Sequence, residues 1–177
     1  MIDVHMLTLP NESKKFKQQC LDSLINEPIT LHLCSGIYNN IALARSNAFL
    51  IGNLPYQSFV DPDDWVLSGG FTACLNILES NSNIHVVYTH EFIADLVGNY
   101  HLTNVKKWCH HLIVFRRQIL HLYLYAMQQW KWPNKQSECQ WIVDQIKQDY
   151  GKQTVYEIKT PYYVWRQRFN SITHRRI

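Results

Sequence analysis

Residues 58–65 read Ser-Phe-Val-Asp-Pro-Asp-Asp-Trp, and this stretch determines which fold we expect. Phe59 and Val60 are typical of a buried strand, and three carboxylates follow them directly. A strand that ends in an acidic turn places negative charge at the carboxyl edge of a sheet, where open α/β sheets bind ligands. Carboxylate oxygens are hard ligands that suit Mg²⁺ or Mn²⁺. Because Asp also favours turns and helix starts, Asp64 fits a helix cap as well as a ligand.

The composition is that of a globular protein with one domain. The chain has 177 residues, of which 46% are apolar and 18% charged, so it can bury a substantial core. A net charge of +3 gives no strong general attraction to polyanions. After Glu157, however, all charged residues are basic, namely Lys159, Arg166, Arg168, Arg175 and Arg176. Such a tail fits contact with phosphates or a solvated terminus.

The cysteines and apolar segments indicate where the protein works. The five cysteines are widely spaced and form no Cys-x-x-Cys pair, which favours a reducing compartment over a disulfide scaffold. The N-terminus lacks the pattern of a signal peptide. The longest apolar region, 112–127, is interrupted by Arg116 and Arg117 and is too short to span a bilayer. We therefore expect a cytoplasmic protein without a membrane segment.

Hydrophobic periodicity predicts alternating strands and helices. Strands are expected at 4–9, 29–33, 56–60, 84–88, 111–115 and 154–158. Helices are expected at 14–24, 41–51, 65–78, 117–130 and 138–150, with a loop near Gly98 and a bent aromatic segment at 161–165. The first strand, helix and strand form a βαβ unit, which implies a parallel sheet with a right-handed crossover.

Four segments, in this order, carry a family resemblance. Residues 4–24 combine a strand, a Pro-Asn turn and a helix, and residues 44–48 read Ala-Arg-Ser-Asn-Ala before the acidic turn. Residues 111–117 read His-Leu-Ile-Val-Phe-Arg-Arg. Residues 137–171 begin with Ser-Glu and contain Tyr-Tyr-Val-Trp-Arg. Together they resemble the small nucleotide-sugar glycosyltransferases of the GT-A fold, family 2 type.

The resemblance implies a fold and an activity. The expected fold is a single α/β domain of the GT-A-like, or Rossmann-like, kind, with a mixed, mostly parallel central sheet flanked by helices. Residues 1–65 would bind the nucleotide sugar, and residues 66–177 would form the acceptor side and the basic tail. The expected activity is metal-dependent transfer of a sugar from a nucleotide sugar to an acceptor hydroxyl, with inversion. The metal would be Mn²⁺ or Mg²⁺.

The resemblance also assigns residues to roles. Asp61 and Asp63 would serve the metal site, with Asp61 near the ribose or a metal-bound water and Asp63 under the diphosphate. Glu138 would be the general base that takes the acceptor proton. The remaining donor contacts would line the base pocket or approach the diphosphate, and they are Leu9, Pro10, Glu12, Arg45, Arg166 and Arg168.

Several of these residues have a simpler reading. Arg45 fits a surface charge on an Ala-rich helix, and Glu138 fits a first-turn acid favoured by the helix dipole. His110 and His111 look like a metal pair, but neighbouring strand positions face opposite sides. We therefore expect one buried and one exposed histidine, with His111 near the acceptor.

The chain departs from the family pattern at three positions, which keeps a second hypothesis open. Cys34 stands where an acidic residue usually ends the second strand, Cys139 follows Glu138 where Asp is common, and Arg168 stands where His is frequent. The alternative is a non-catalytic nucleotide-binding module of the same fold. For the enzyme, the acceptor would be a saccharide or the hydroxymethylated bases of bacteriophage DNA. The DNA acceptor would fit a phage-encoded protein acting in a host cytoplasm.

Overall fold

A computed structural model describes residues 1–167 except Asn39, Trp108, His110 and residues 130–136. The strands and α-helices in chain order are β1 Ile2–Thr8, α1 Lys14–Ser23, β2 Ile29–Ser35, α2 Ile41–Ala48, β3 Tyr56–Val60, β4 Trp65–Val66, α3 Gly70–Ser80, β5 Val86–Ala94, β6 Tyr100–Lys106, β7 Ile113–Arg116, α4 Leu120–Gln129, α5 Glu138–Tyr150 and β8 Val155–Arg166. Within these described residues, no helix has both the length and the apolar character needed to cross a bilayer.

The eight strands within the described residues belong to one mixed sheet. The order across the sheet is β2-β1-β3-β7-β5-β8-β4, and β6 pairs with the C-terminal half of β5. β1, β2, β3, β5 and β8 run in one direction, whereas β4, β6 and β7 run in the other. The prediction of a mixed, mostly parallel sheet flanked by helices is confirmed.

Register aligns the strand ends that form the candidate site. β1 pairs with β2 as far as Thr8 opposite Ser35, and with β3 as far as Met6 opposite Val60. The three parallel strands therefore deliver their carboxyl ends to the same edge of the sheet. Asp61 follows Val60 at this edge.

The two faces of the sheet carry separate cores. On one face α1 and α3 pack against alternate residues of β1, because Ile2, Val4 and Met6 all point to that side. On the other face, aromatic residues join β3 and β7 to α2, α4 and α5. Phe49 lies at the centre of this second core, with its ring edge-on to Tyr123 at 4.5 Å.

The prediction of a helix over 65–78 is wrong for its first five residues. Trp65 and Val66 instead form β4, which pairs antiparallel with Val164 and Tyr163 of β8. The helix begins at Gly70 because the chain turns at Gly69, whose φ of 84° is left-handed. The carboxylate of Glu27 accepts hydrogen bonds from the backbone N–H groups of Gly69, Phe71 and Thr72, so a distant side chain caps α3.

Three further strands differ from the sequence prediction. β6 occupies Tyr100–Lys106, where no strand was expected, and β5 continues six residues beyond Tyr88 to pair with it. The bent segment at 161–165 is part of β8. The register against β5 shifts on both sides of His90, which faces Pro161, so the strand continues past Ile158 with two irregularities.

Candidate functional site

The acidic turn lies at the edge where three parallel strands end. The backbone N–H of Gly36 donates to the carbonyl oxygen of Thr8 at 2.9 Å and joins the end of β2 to that of β1. After Thr8, the backbone N–H of Leu9 donates to Glu12 Oε1 at 2.7 Å. Leu9 and Pro10 are exposed and Glu12 is partly buried. The expected base-pocket residues thus lie at the same sheet edge as the aspartates.

Asp64 is the most buried carboxylate of the turn. It is 1% exposed, and it accepts hydrogen bonds from the Tyr163 hydroxyl at 2.9 Å and from the Arg166 backbone N–H at 2.8 Å. Burial raises the pKa of Asp64, and the charges of Asp63 and Asp61 raise it further. Because α3 starts later and carries its cap from Glu27, the reading of Asp64 as a helix cap is wrong.

His111 lies two residues before β7 and faces the acidic turn. Its Nδ1 lies 2.8 Å from Glu91 Oε2, and its ring stacks on Tyr163 with centroids 5.0 Å apart. Its Nε2 lies 3.6 Å from Asp61 Oδ2 and 3.8 Å from Asp64 Oδ2. His111 is buried, as expected for one member of the histidine pair, and His110 lies outside the described residues.

One set of side chains in the described ranges has the donor atoms and spacing of a metal site. It consists of Asp61, Asp64 and His111, whose ligand atoms all lie within 4.8 Å of one another. Two carboxylates and an imidazole fit a divalent first-row metal ion. Asp63 is partly exposed in the same turn and is outside this set, although the sequence predicted it as a ligand.

Arg45 connects three elements at the site. It is 2% exposed, donates from Nη2 to Asp61 Oδ1 at 2.9 Å and forms an ion pair with Glu138 Oε1. Its guanidinium carbon lies 3.7 Å from the centre of the Phe59 ring. Arg45 is therefore not a surface charge, and it brings α2, the end of β3 and the start of α5 together.

Glu138 is the first residue of α5, which Ser137 caps by accepting from the Gln140 N–H. Its carboxylate is 14% exposed. The next residue, Cys139, is buried in the second core. The Glu138 carboxylate contacts Arg45 and through it is linked to Asp61.

Arg166 is buried at the end of β8. Its guanidinium donates to the carbonyl oxygens of Asp63 at 2.8 Å and Leu96 at 3.0 Å, and to Gln19 Oε1 at 2.6 Å. It also lies 4.0 Å from the centre of the Phe16 ring. These contacts hold the acidic turn against α1 and β8. Arg168, the other arginine expected near the diphosphate, lies outside the described residues.

Glu91 and Tyr163 belong to this site but were not singled out in the sequence. Glu91 is 2% exposed within a strand of mostly apolar and aromatic residues, and Lys106 Nζ lies 3.5 Å from its Oε1. A carboxylate in such a strand was the available signal, because buried charges are almost always paired. Tyr163 lies in the Tyr-Tyr-Val-Trp-Arg segment that carries the resemblance, but no role was predicted for it, since its hydroxyl reaches Asp64 across 99 residues of sequence.

Comparison with solved structures places this architecture among known folds. The chain is similar to S. aureus TarS 1–349 in complex with UDP-GlcNAc, with a TM-score of 0.65, 12% identity, and coverage of 99% of this chain and 61% of TarS 1–349. It is also similar to a glycosyltransferase involved in the glycosylation of the major capsid of PBCV-1, with a TM-score of 0.54, 10% identity and coverage of 92% and 91%. The fold is GT-A-like. The expected fold is thus confirmed.

The remaining comparisons limit what the GT-A-like fold says about this chain. The sequence matches no protein-family profile and no curated protein. The chain spans only 59% and 61% of the length of two TarS 1–349 structures. At such low identity the GT-A-like likeness concerns the fold, and the activity has to be argued from the site.

Proposed function

We propose that this protein transfers a sugar from a nucleotide-sugar donor to an acceptor hydroxyl, depends on a divalent metal ion and inverts the anomeric centre. The observation that carries this proposal is the acidic turn at the carboxyl edge of β1, β2 and β3, with Asp61 and Asp64 facing His111. Open α/β sheets bind ligands at this edge. The GT-A-like fold supports the same reaction class, because one structural neighbour was solved with UDP-GlcNAc.

The donor would lie across the ends of the parallel strands. Leu9, Pro10 and Glu12 are the proposed contacts of the base, since they follow β1 at this edge. Arg45 is proposed to act near the diphosphate by fixing Asp61 and Glu138, because its guanidinium contacts both carboxylates. For Arg166, the three acceptors of its guanidinium support a role in holding the Asp63 turn.

Asp64 and His111 have ligand atoms within 4.8 Å of that of Asp61 and are proposed to complete the metal site. Asp61 and Asp63 are the residues proposed to hold Mn²⁺ or Mg²⁺ beneath the donor diphosphate. Both are partly exposed at the sheet edge, so a ligand can reach them, and carboxylate oxygens fit either ion. When bound, the ion would stabilise the negative charge that develops on the departing nucleoside diphosphate.

Glu138 is the proposed general base. The acceptor hydroxyl would pass its proton to a Glu138 carboxylate oxygen while its own oxygen attacks the anomeric carbon and the bond to the diphosphate breaks. Attack opposite the leaving group inverts the anomeric centre. The ion pair with Arg45 would hold the Glu138 carboxylate in position for this role. General base catalysis of this kind contributes about 10²–10⁴-fold.

The first test compares Asp63→Ala with the wild-type protein. Release of nucleoside diphosphate from a panel of nucleotide sugars would be measured with Mn²⁺ and a set of acceptors. We expect Asp63→Ala to lose at least about 10²-fold in rate with its melting temperature preserved, because charge stabilisation of the leaving group is lost. Asp22→Ala, which removes an exposed aspartate of α1, is the matched control and should retain activity. Full activity of Asp63→Ala would refute the proposal.

The acceptor is proposed from charge rather than from contacts. The basic residues after Glu157 support a polyanionic acceptor such as hydroxymethylated DNA, and a saccharide is the alternative. Joint replacement of Arg168, Arg175 and Arg176 by Gln should weaken transfer to DNA and reduce its salt dependence. Transfer to a saccharide should be unaffected. Undiminished transfer to DNA would contradict a role of these basic residues in binding the acceptor.

A non-catalytic nucleotide-binding module remains the second candidate. Two observations favour it: Cys34 lies in β2 where the family usually has an acid, and Cys139 is buried beside Glu138. Calorimetry with nucleotide sugars and Mn²⁺, paired with the release assay, separates the candidates. Binding without turnover would support the module.

A further inference from the structure

The first half of β8 has an open side, at the end of the sheet that lies away from the acidic turn. Residues 155–158 pair with residues 86–89 of β5 on one side. The other neighbour of β8 is β4, which reaches only Tyr163 and Val164. Within the described ranges, residues 155–160 therefore have no strand on their outer side. An open edge of this kind can pair with a strand of another chain.

Apolar side chains line one face of this edge. Tyr156 and Ile158 lie two positions apart, so both point to the side of α3. With Ala73 and Ile77 of that helix they line a groove of about 400 Å³. Tyr156 is 44% exposed, so the strip formed by these four residues presents apolar surface to solvent beside the open strand.

Glu157 and Lys159 alternate with the apolar residues and carry opposite charges. Both line a cavity of about 520 Å³ next to His90. Glu157 Oε1 lies 2.6 Å from His90 Nε2, but 39% of the Glu157 side chain is exposed, so its carboxylate can accept a further partner. Lys159 is exposed as well. The edge thus shows one negative and one positive charge, with Ile158 between them.

We propose that two copies of this chain pair through this edge as antiparallel strands, about a two-fold axis at Ile158. In that register Ile158 lies opposite its own copy, and Glu157 of each chain lies opposite the partner's Lys159. Opposite charges on directly opposed residues stabilise a strand pair, whereas like charges destabilise it. The charge pattern of the edge is therefore complementary to itself.

Neighbouring registers lack this match. An axis at Glu157 would set two glutamates against each other, and an axis at Lys159 would do the same with two lysines. Pro161 has no N–H to donate, so the ladder would span residues 156–160 and end before it. The apolar strips of the two copies would then lie beside the ladder and be removed from water.

The association state of the full chain tests the proposal. Sedimentation equilibrium at up to about 100 µM covers interfaces of micromolar affinity, and we expect a monomer–dimer equilibrium for the wild-type protein. Lys159→Glu should abolish the dimer, because it sets like charges against each other. Adding Glu157→Lys exchanges the two charges and should restore it. Lys107→Glu is the matched control, since it makes the same charge change at an exposed lysine of the same cavity, and the dimer should persist.

A cross-link tests the register separately. The five cysteines are all buried, so a disulfide between two copies of Ile158→Cys would form through the new thiol. Opposed residues of antiparallel strands have Cα atoms about 4.5–5.5 Å apart, which a disulfide can span. Tyr156→Cys would hold its thiols about 14 Å apart, at about 3.4 Å for each of four residues, and should stay unlinked.

The outcomes are independent of sugar transfer, because the acidic turn lies at the other end of the strands. A wild-type chain that stays monomeric, or a dimer that survives Lys159→Glu, would overturn the inference. A double variant that stays monomeric, or a cross-link at Tyr156→Cys in place of Ile158→Cys, would overturn it as well.

Discussion

Arg45 is the residue on which the geometry of the carboxylates most depends. It is buried between Asp61 and Glu138, and its removal would leave two partly buried carboxylates without their cation. Arg45 therefore does more than contact the nucleotide-sugar donor in the proposed site. It also fixes the position of Asp61, the proposed metal ligand, relative to Glu138, the proposed base.

We expect Arg45→Met to lower the free energy of unfolding by about 3 kcal/mol, since breaking a buried ion pair leaves uncompensated charge. Urea denaturation measures this value. The exposed Lys14→Met should change it by no more than about 0.5 kcal/mol. Combining Arg45→Met with Glu138→Gln should reveal coupling of about 0.5–3 kcal/mol, and strict additivity would contradict the pairing.

Asp3 forms ion pairs with His32 and Arg117 at the N-terminal end of β1, opposite the acidic turn. Burial alone would raise the pKa of Asp3, but hydrogen bonds from His32 and the Leu54 N–H, with the charges of His32 and Arg117, lower it below 3.8. A lowered folded-state pKa stabilises the native protein above the unfolded value, and this contribution is lost as the pH falls through the folded value.

Asp3→Asn should therefore be less stable than the wild-type protein at neutral pH. The stability difference should shrink as the pH falls below 3.8, because the wild-type carboxylate becomes protonated while the amide does not change. Urea denaturation on both sides of this pH measures the effect. A stability difference that stays constant with pH would contradict the assignment.

At the residue scale, the sequence could predict the acidic turn but not its partners. The order apolar strand, Asp-Pro-Asp-Asp is local, so it predicts charge at a sheet edge. The Glu91–His111 contact depends on where β5 and β7 bring their ends, and nothing in the local pattern specifies that. The contact of Arg45 with Glu138 spans 93 positions, and only the family resemblance placed both residues in one site.

At the scale of elements, β8 joins the site to the rest of the sheet. It pairs with β5 and β4, and its last residue, Arg166, donates to acceptors in three other segments. The strand therefore holds the acidic turn through both its Tyr163 hydroxyl and its terminal guanidinium.

Arg166→Gln should lower the free energy of unfolding by at least about 2 kcal/mol without any ligand, because buried acceptors lose their charged donor. Lys107→Gln, at an exposed position, should change it by no more than about 0.5 kcal/mol. Thermal and urea unfolding of the ligand-free proteins measure both. Wild-type stability combined with lost nucleotide binding would instead assign Arg166 to the diphosphate.

Elements with local periodicity were predicted well, and those made by distant pairing were not. The opening βαβ unit, the strand before the acidic turn and α5 follow their sequence patterns. β4 has only two residues, which are too few to show a strand's alternation, and it is a strand because β8 pairs with it. Most residues of β6 are exposed, so this strand carries no alternating apolar pattern either. The cap of α3 comes from Glu27, which is distant in sequence. Rules for helix starts consider only neighbouring residues, so they cannot predict this cap.

At the scale of the whole molecule, fold and activity rest on different evidence. The order and direction of eight strands establish the GT-A-like architecture, which sequence identity of 10–12% with the structural neighbours could not do alone. The proposed activity rests on what this architecture gathers at one edge: carboxylates from the turn after β3, a buried His–Glu pair, and an arginine that reaches α5.

The proposed donor and metal site at this sheet edge is tested most directly by diffraction at the manganese absorption edge. The crystals would be grown with a nucleoside diphosphate and Mn²⁺. We expect one anomalous peak between the Asp61 carboxylate and the diphosphate oxygens, with the base beside Leu9 and Glu12. A nucleotide bound elsewhere, or an ion that contacts none of the turn's aspartates, would contradict the proposed transferase site.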